Sequence, residues 1–248
     1  MKSIHPFVSK DDHTLKDVKN LPFKKRMEHI FIYYKLPIFI VLLAIYIISY
    51  TAYRKATEEI PVLYTGFINL SMGEDLHKHL TEDYIIDREY PGKRNVVRTY
   101  DDLFLAEKPS AEEQPYVYAS QLKILAAIDA EQLDVVLMTQ DVFDSFAQNG
   151  YLINLEEFIG QKDPALFEDL TPDLIENLEI LWDNTDEVMA DRTVPYRSET
   201  TSYLMGIDIS DYPCIKEAGF GETIYLGILK NAPREDVVLD YIHYISEK

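Results

Sequence analysis

Ser120 and Lys123 stand at a spacing used by one class of nucleophilic hydrolase. They fit the pattern S-x-x-K, in which a lysine one helical turn beyond a serine activates its hydroxyl. The companion elements S-D-N and K-T-G are absent from the sequence. Because a pattern with two fixed positions recurs often by chance, we expect these residues to belong to a helix that packs on a sheet.

His77 and His79, with Glu74 and Asp75 nearby, are residue types that bind divalent metals. Residues two apart on a helix point to different sides, so a solvated polar face is expected here and not a metal site. The single cysteine, Cys214, is expected to be a small buried apolar residue and not a nucleophile. The sequence therefore predicts no catalytic residue, no metal site and no cofactor.

Polar residues at the ends of three predicted strands are better candidates for binding a ligand. Doubly wound sheets bind ligands at the carboxyl ends of their strands, beside helix N-termini. The candidates, in the order of the strands they follow, are Asn69, Ser71 and Met72, then Thr99 and Tyr100, then Thr139, Gln140 and Asp141. Each of them also has a possible structural role as a cap or turn residue.

The elements that position these residues alternate between strand and helix. Apolar runs predict strands at 62–70, 95–100 and 133–138, the last too continuously apolar to have a wet face. Helices are predicted after Ser71, which has Glu74 three positions later, and over 116–130. A third helix follows residue 140, capped by Asp141, with Val142, Phe143, Phe146 and Ala147 facing inward and Gly150 ending it in a left-handed conformation.

The second half of the chain predicts fewer regular units. Residues 155–182 show a helical pattern with Thr171 and Pro172 at a cap, and residues 179–209 indicate an exposed hairpin anchored by burial of Trp182. A last strand over 222–230 and a closing helix over 232–246 complete the pattern. The expected fold is therefore α/β, with a single, doubly wound, mostly parallel sheet and no cleft between two lobes.

Residues 36–53 contain no ionisable acid or base and form a candidate membrane span. Eighteen residues of helix cover about 27 Å, close to the hydrocarbon thickness of about 30 Å. A cleaved signal peptide is the alternative, but Arg54 and Lys55 stand where small residues would be needed for cleavage. We therefore expect an uncleaved anchor in contact with plasma-membrane lipid.

Charge is divided unequally on the two sides of this span. Residues 1–35 hold eight Lys and Arg against four Asp and Glu, whereas residues 54–248 hold 16 against 39. Basic residues concentrate on the cytoplasmic side, so we expect residues 1–35 in the cytoplasm and an extracytoplasmic domain over 54–248. Its negative charge argues against nucleic acid as a partner.

Two stretches resemble bacterial extracellular solute-binding proteins of the type II periplasmic-binding class. The first has Leu133-Asp134-Val135-Val136 where the family has PDVV, then Gly150-Tyr151-Leu152 and Asn154-Leu155-Glu156-Glu157; the second has Asn231 and Tyr241 in the closing strand and helix. The resemblance covers residues 60–160 and 200–248 and implies one lobe of that fold. The stretch from Ile159 to Ser202 supplies about 45 residues, too few for a second lobe.

These observations predict a membrane-anchored, non-catalytic binding or assembly module of the bacterial envelope. Its expected partners are lipid and another membrane or envelope protein, while a small-molecule ligand is left open. The alternatives are the solute receptor of an ABC-type transporter, which the resemblance suggests, and an envelope hydrolase. A saturable solute would favour the receptor, and substrate turnover the hydrolase.

Overall fold

The chain forms two compact units, residues 1–58 and 59–248, in a computed structural model that describes residues 22, 35–90, 92 and 94–247. The first unit contains helix α1 (Lys35–Thr57), none of whose residues is buried. Its mean hydropathy of 2.1 makes α1 the one helix in the described part of the chain that is long and apolar enough to cross a membrane. The predicted span over 36–53 lies inside this helix.

The second unit is an α/β domain built on one six-stranded sheet. Its strands, in chain order, are β1 (Ile60–Ile68), β2 (Asn95–Leu103), β3 (Val135–Thr139), β4 (Leu174–Asp183), β5 (Ser198–Asp208) and β6 (Ile224–Ile228). Their order across the sheet is β2-β1-β3-β6-β5-β4. β1 pairs in parallel with β2 and β3, whereas the β3-β6, β6-β5 and β5-β4 pairs are antiparallel. The sheet is therefore mixed, and the predicted parallel arrangement holds only on the β2-β1-β3 side.

Helices cover both faces of this sheet, as the doubly wound pattern predicts. In chain order they are α2 (Glu74–Lys78), continued by a π-helical turn (His79–Asp83) and α3 (Tyr84–Asp87), then α4 (Gln114–Asp129), α5 (Gln140–Gln148), α6 (Leu155–Lys162), α7 (Pro164–Leu170), α8 (Thr185–Ala190), α9 (Pro213–Ala218) and α10 (Glu235–Ser246). One apolar cluster joins the sheet to α2, α3, α6, α7, α9 and α10, and a second joins its other face to α4 and α5.

The apolar positions predicted for α5 are confirmed. Val142, Phe143, Phe146 and Ala147 are all buried. Gly150, with φ +70°, supplies the left-handed residue after α5. Continuous or helically spaced apolar residues thus identified the elements that lie at the centre of the domain.

The cap predicted at Ser71 is wrong, because α2 begins at Glu74 with Gly73 as its N-cap. The helix predicted over 116–130 is confirmed as α4, but only part of its apolar surface is buried. Tyr118, Leu122 and Leu125 are 62%, 50% and 41% exposed, and the helix packs through its other stripe instead. A helix with apolar residues on two stripes does not reveal from its sequence which stripe meets the sheet.

The hairpin predicted over 179–209 is confirmed as β4 and β5, which extend the main sheet. It begins earlier than expected, since Leu174 starts a strand where the sequence showed a helical pattern. Thr171 and Pro172 lie in a 3-10 turn just before it. Trp182 is 52% exposed, so its predicted burial is wrong. β5 pairs with β6 only over 206–208, and the outer part of the hairpin therefore has no third strand on which Trp182 could pack.

Candidate functional site

Asn69 and Thr139 lie side by side at the carboxyl ends of β1 and β3, because Ile68 pairs with Met138. Asn69 has a positive φ of 60°, and its side-chain amide is fully engaged with the chain beyond β2. Its Nδ2 donates to the Leu105 carbonyl at 2.7 Å, and its Oδ1 accepts from the Leu105 N–H at 2.8 Å. Asn69 therefore fastens the end of β1 to the segment after β2.

At the end of β3, Thr139 is buried and Gln140 is hydrogen-bonded within the domain, whereas Asp141 is exposed. Thr139 is buried and is the N-cap of α5, without a side-chain cap bond, so Asp141 is not the cap that the sequence predicted. Gln140 accepts from the Tyr225 hydroxyl and donates to Asp144 Oδ1 at 2.8 Å. Asp141 is exposed in the first turn of the helix.

Ser71, Met72 and Tyr100 are not brought together with Asn69 and Thr139 into one pocket. Ser71 is exposed in the turn before α2, and Met72 packs against the first apolar cluster. Tyr100 lies within β2, paired with Gly66, because the strand continues three residues beyond it. The predicted set of strand-end residues is thus divided between two places in the domain.

Tyr100 belongs to a different feature, a groove of about 820 Å³ that runs along β2. β2 is an edge strand of the sheet, and helical segments flank it on both faces. The residues that line the groove are Glu59, Tyr64, His77, Thr81, Glu82, Ile85, Ile86, Asn95 to Tyr100, Lys123 and Gln132. Its volume falls in the range of about 300–1,000 Å³ that is usual for ligand sites.

One wall of the groove is aromatic and cationic. The rings of Tyr64 and Tyr100 are 6.5 Å apart, and the Lys123 ammonium lies 5.7 Å from the Tyr100 ring. The Tyr100 hydroxyl donates to Gln132 Oε1 at 3.3 Å. Partial burial raises the pKa of Tyr100, with a further increase from Tyr64 and an opposing decrease from Arg98, so the phenol remains a neutral donor. We call this surface, formed by Tyr64, Arg98, Tyr100, Lys123 and Gln132, the cationic wall.

The opposite wall comes from the helical segment that begins at α2. His77 Nε2 lies 3.3 Å from the Thr99 hydroxyl, which donates to Asp101 Oδ2 at 2.7 Å. Thr81 and Ile85 follow His77 at helical spacing and line the groove beside it. We call this surface, formed by His77, Thr81, Glu82, Ile85 and Ile86, the helical wall. Thr81, Ile85 and Ile86 give it uncharged surface beside the Glu82 carboxylate, whereas the cationic wall carries Arg98 and Lys123.

A buried ion pair holds Tyr64 in place. Asp134, fully buried at the start of β3, accepts the Tyr64 N–H at 2.8 Å and binds Arg234 Nη1 at 2.9 and 3.1 Å. The Arg234 guanidinium lies 4.5 Å from the centre of the Tyr64 ring. Burial raises the pKa of Asp134, while the Tyr64 N–H and Arg234 lower it. We call the contacts among Asp134, Arg234 and Tyr64 the lock. They fix the position of Tyr64 in the cationic wall.

The sequence motifs with catalytic spacing have structural partners. Ser120 is buried and its hydroxyl accepts the Phe104 N–H at 3.0 Å, whereas Lys123 donates to the Asp101 carbonyl at 3.2 Å. Burial raises the pKa of the Cys214 thiol, which disfavours a nucleophilic thiolate. In the described ranges there is no group of three or more His, Cys, Asp or Glu side chains that could hold a metal ion.

Sequence reasoning missed most of the groove residues. Tyr64, His77, Arg98, Lys123 and Gln132 come from five separate places in the chain, and only the strand order brings them together. A partial signal was present, since Arg98 and Tyr100 alternate along β2 and must share one face of the sheet.

No protein-family model matches the chain, and neither does any curated protein. Among solved structures, an extracellular solute-binding protein family 1 from Alicyclobacillus acidocaldarius subsp. acidocaldarius is a distant neighbour, with 15% sequence identity and a TM-score of 0.29. The match covers 61% of this chain and 28% of that protein. The chain thus spans less than a third of the length of that neighbour. Similarity at this level does not define a function, so the proposals below rest on the groove and on α1.

Proposed function

We propose that this chain is a membrane-anchored, extracytoplasmic binding module that receives its partner in the groove along β2. The observation that carries the proposal is the groove itself, about 820 Å³ in volume and lined by aromatic, cationic and apolar side chains. Concave sites with a few converging polar groups are where proteins bind ligands. Of the strand-end residues predicted from the sequence, Asn69 and Gln140 are occupied by internal hydrogen bonds, and Ser71 and Asp141 are exposed, so the groove is the better site.

The anchor is α1, which has the length and composition of a single membrane span. Five Lys and Arg residues lie within the seventeen positions up to Lys35, against Arg54 and Lys55 close after the apolar run. This asymmetry supports an N-terminal segment in the cytoplasm and residues 59–248 outside. In this proposal the extracytoplasmic domain binds a partner of the cell envelope and does not itself catalyse a reaction.

The orientation is tested by adding protease to intact protoplasts that carry a tag after residue 248. We expect the tag and the α/β domain to be digested, while a tag placed before residue 1 survives until the membrane is permeabilised. Survival of the C-terminal tag on intact protoplasts would contradict the proposed location.

Binding in the groove is tested by thermal unfolding of the full chain in lipid nanodiscs, with a library of sugars, amino acids and short peptides. A ligand at 100 times its Kd adds about 2.7 kcal/mol of stability, which for a domain of this size raises the Tm by roughly 5–11 °C. The variant Lys123→Glu should abolish the shift. Its matched control, Lys216→Glu, replaces an exposed lysine outside the groove and should leave the shift unchanged.

The outcomes of this experiment separate the alternatives. A shift from a sugar or amino acid that Lys123→Glu removes favours the solute receptor, and consumption of a library compound favours the hydrolase. A shift that persists in Lys123→Glu and in Tyr100→Ala contradicts the groove as the binding site.

A further inference from the structure

The exposed edge of β2 presents backbone groups that face away from the sheet. Among the residues that the structure describes, β2 pairs with β1 alone. The Tyr64 N–H donates to Asp134 Oδ2, and the Tyr64 carbonyl accepts the Asp134 N–H at 3.0 Å. The backbone groups of Tyr64 therefore turn toward β3, and those of the residues before and after it turn toward β2.

The parallel register then assigns the direction of each β2 residue. Thr65 pairs with Thr99, and in a parallel ladder a residue bonds to the two neighbours of its partner, which are Arg98 and Tyr100. The backbone N–H and C=O groups of Val97 and Thr99 consequently point outward, into the groove. These are the groups that an additional strand needs for pairing.

The two walls match the side chains of an added strand. A strand sends alternate side chains to opposite faces, and here one set would meet the helical wall while the other set would meet the cationic wall. Ile85 and Thr81 on the helical wall suit small apolar side chains. A flat or purely apolar surface would offer no such alternation.

The charge of the cationic wall determines which side chains an added strand should direct toward that wall. Arg98 pairs with Glu59 at 2.8 Å, but both side chains are at least half exposed, and such pairs contribute little and exchange readily. Lys123 contacts only a carbonyl and the Tyr100 ring in the described part of the chain. Two cations that line the same groove in a strongly acidic domain favour a carboxylate on the incoming segment.

We propose that the groove is filled by an extended segment of a partner protein, which pairs with β2 as a seventh strand. The segment carries small apolar side chains toward the helical wall and an Asp or Glu toward Arg98 and Lys123. Backbone pairing supplies affinity, and the alternating side chains supply specificity. The inference rests on the proposed binding function of the groove and names the class of its partner.

The test uses a synthetic nine-residue peptide in which threonine alternates with valine and glutamate replaces the central threonine. Its control carries lysine in place of glutamate. Fluorescence anisotropy with the full chain in nanodiscs should show saturable binding of the glutamate peptide and about tenfold weaker binding of the lysine peptide. The double variant Arg98→Glu, Lys123→Glu should reverse that preference, whereas Lys216→Glu should preserve it.

Backbone pairing is tested with two isomers of the glutamate peptide, one N-methylated at the four valines and the other at the four threonines. Only one set of amides can face β2, so one isomer should lose binding and the other should retain it. Hydrogen exchange at the Val97 and Thr99 amides should slow on binding of the unmethylated peptide.

Equal binding of both N-methylated isomers, or unchanged exchange at Val97 and Thr99, would overturn the added strand. Failure of every peptide to bind would also overturn it. If small solutes still produce a shift that Lys123→Glu abolishes, the binding function of the groove stands and only its peptide partner is wrong. Self-association that Arg98→Glu removes would show a second copy as the occupant and would contradict a separate partner.

Discussion

Replacing Asp134 with alanine removes the centre of the lock beneath the groove. The Asp134 side chain is fully buried. It accepts a hydrogen bond from the Tyr64 N–H and forms an ion pair with the Arg234 guanidinium. In Asp134→Ala the Tyr64 N–H loses a buried acceptor, and Arg234 keeps its charge and its bond to the Glu131 carbonyl but loses its carboxylate partner. Both losses act on the folded state, because the unfolded chain is hydrated at the same groups.

The magnitude follows from these contacts. Breaking a fully buried ion pair by removing one partner costs about 3–5 kcal/mol, and an orphaned buried N–H costs about 1–3 kcal/mol. The Arg234 side chain is 26% exposed, so water reaches part of the guanidinium and reduces the first figure. We expect Asp134→Ala to lower the free energy of unfolding by about 2–4 kcal/mol, which corresponds to a decrease in Tm of roughly 5–15 °C.

The measurement is thermal unfolding of the full chain in nanodiscs, followed by circular dichroism. Asp134→Asn keeps a carbonyl acceptor for the Tyr64 N–H and should lose about half as much stability as Asp134→Ala. Glu107→Ala, which removes a carboxylate that is 87% exposed, should change stability by less than about 0.5 kcal/mol. If Asp134→Ala unfolds within 2 °C of the Glu107→Ala control, the lock does not stabilise the domain as argued.

Four further substitutions test the packing and the pH response. Gly206→Ala should cost about 1–3 kcal/mol in chemical denaturation, because its Cβ would stand 2.6 Å from a Phe143 ring carbon; wild-type stability would show that the ring moves freely. Trp182→Ala should cost less than about 1 kcal/mol, against about 3–5 kcal/mol for Phe143→Ala, and equal losses would place Trp182 in the core. The Leu166 N–H and then His243 lower the pKa of Asp163, so its stabilising contribution is present above the unfolded pKa of about 4 and is lost as pH falls through the lower folded value. The Tm difference between wild type and Asp163→Asn should therefore shrink below pH 4, and a difference that is constant from pH 7 to pH 2 would contradict this assignment.

The central elements could be predicted because the spacing of apolar residues within each segment indicates which residues are buried. The apolar run that became β3 has all five residues buried, and the inward face of α5 has the spacing of a helix packed on one side. Both patterns need only neighbours in sequence to be recognised. The α/β class followed from the alternation of such elements.

β4 shows why local spacing fails at the margin of the sheet. Leu174, Ile175, Leu178, Leu181 and Trp182 are spaced as on one face of a helix, yet they form a strand. Pairing with β5 over the whole length of the hairpin overrides the helical period. Trp182 is exposed at the same edge, since no element in the described part of the chain covers that end of the hairpin.

The candidate site depended on information that no segment carries alone. The carboxyl-end rule correctly placed Asn69 beside Thr139, but it did not show that Leu105 occupies the amide of Asn69. The groove exists because β2 is at the edge of the sheet, and this position is set by the crossover that puts β1 between β2 and β3. The sequence shows which side chains have useful chemistry, but it does not show which of them meet in the groove.

The two edges of the sheet differ in a way that bears on how the groove is used. Edge strands are commonly protected by charged side chains, and β4 carries Glu176, Glu179 and Asp183, with Glu179 paired to Lys230. β2 is recessed between helical segments instead, so that a strand about 4.8 Å away would fit only with side chains suited to both walls. Because β2 is recessed, strands whose side chains do not fit the two walls are excluded, while the edge itself stays open to pairing. An edge that is guarded by shape and by two cations, and that no described part of the chain covers, suits a site that admits one class of extended partner.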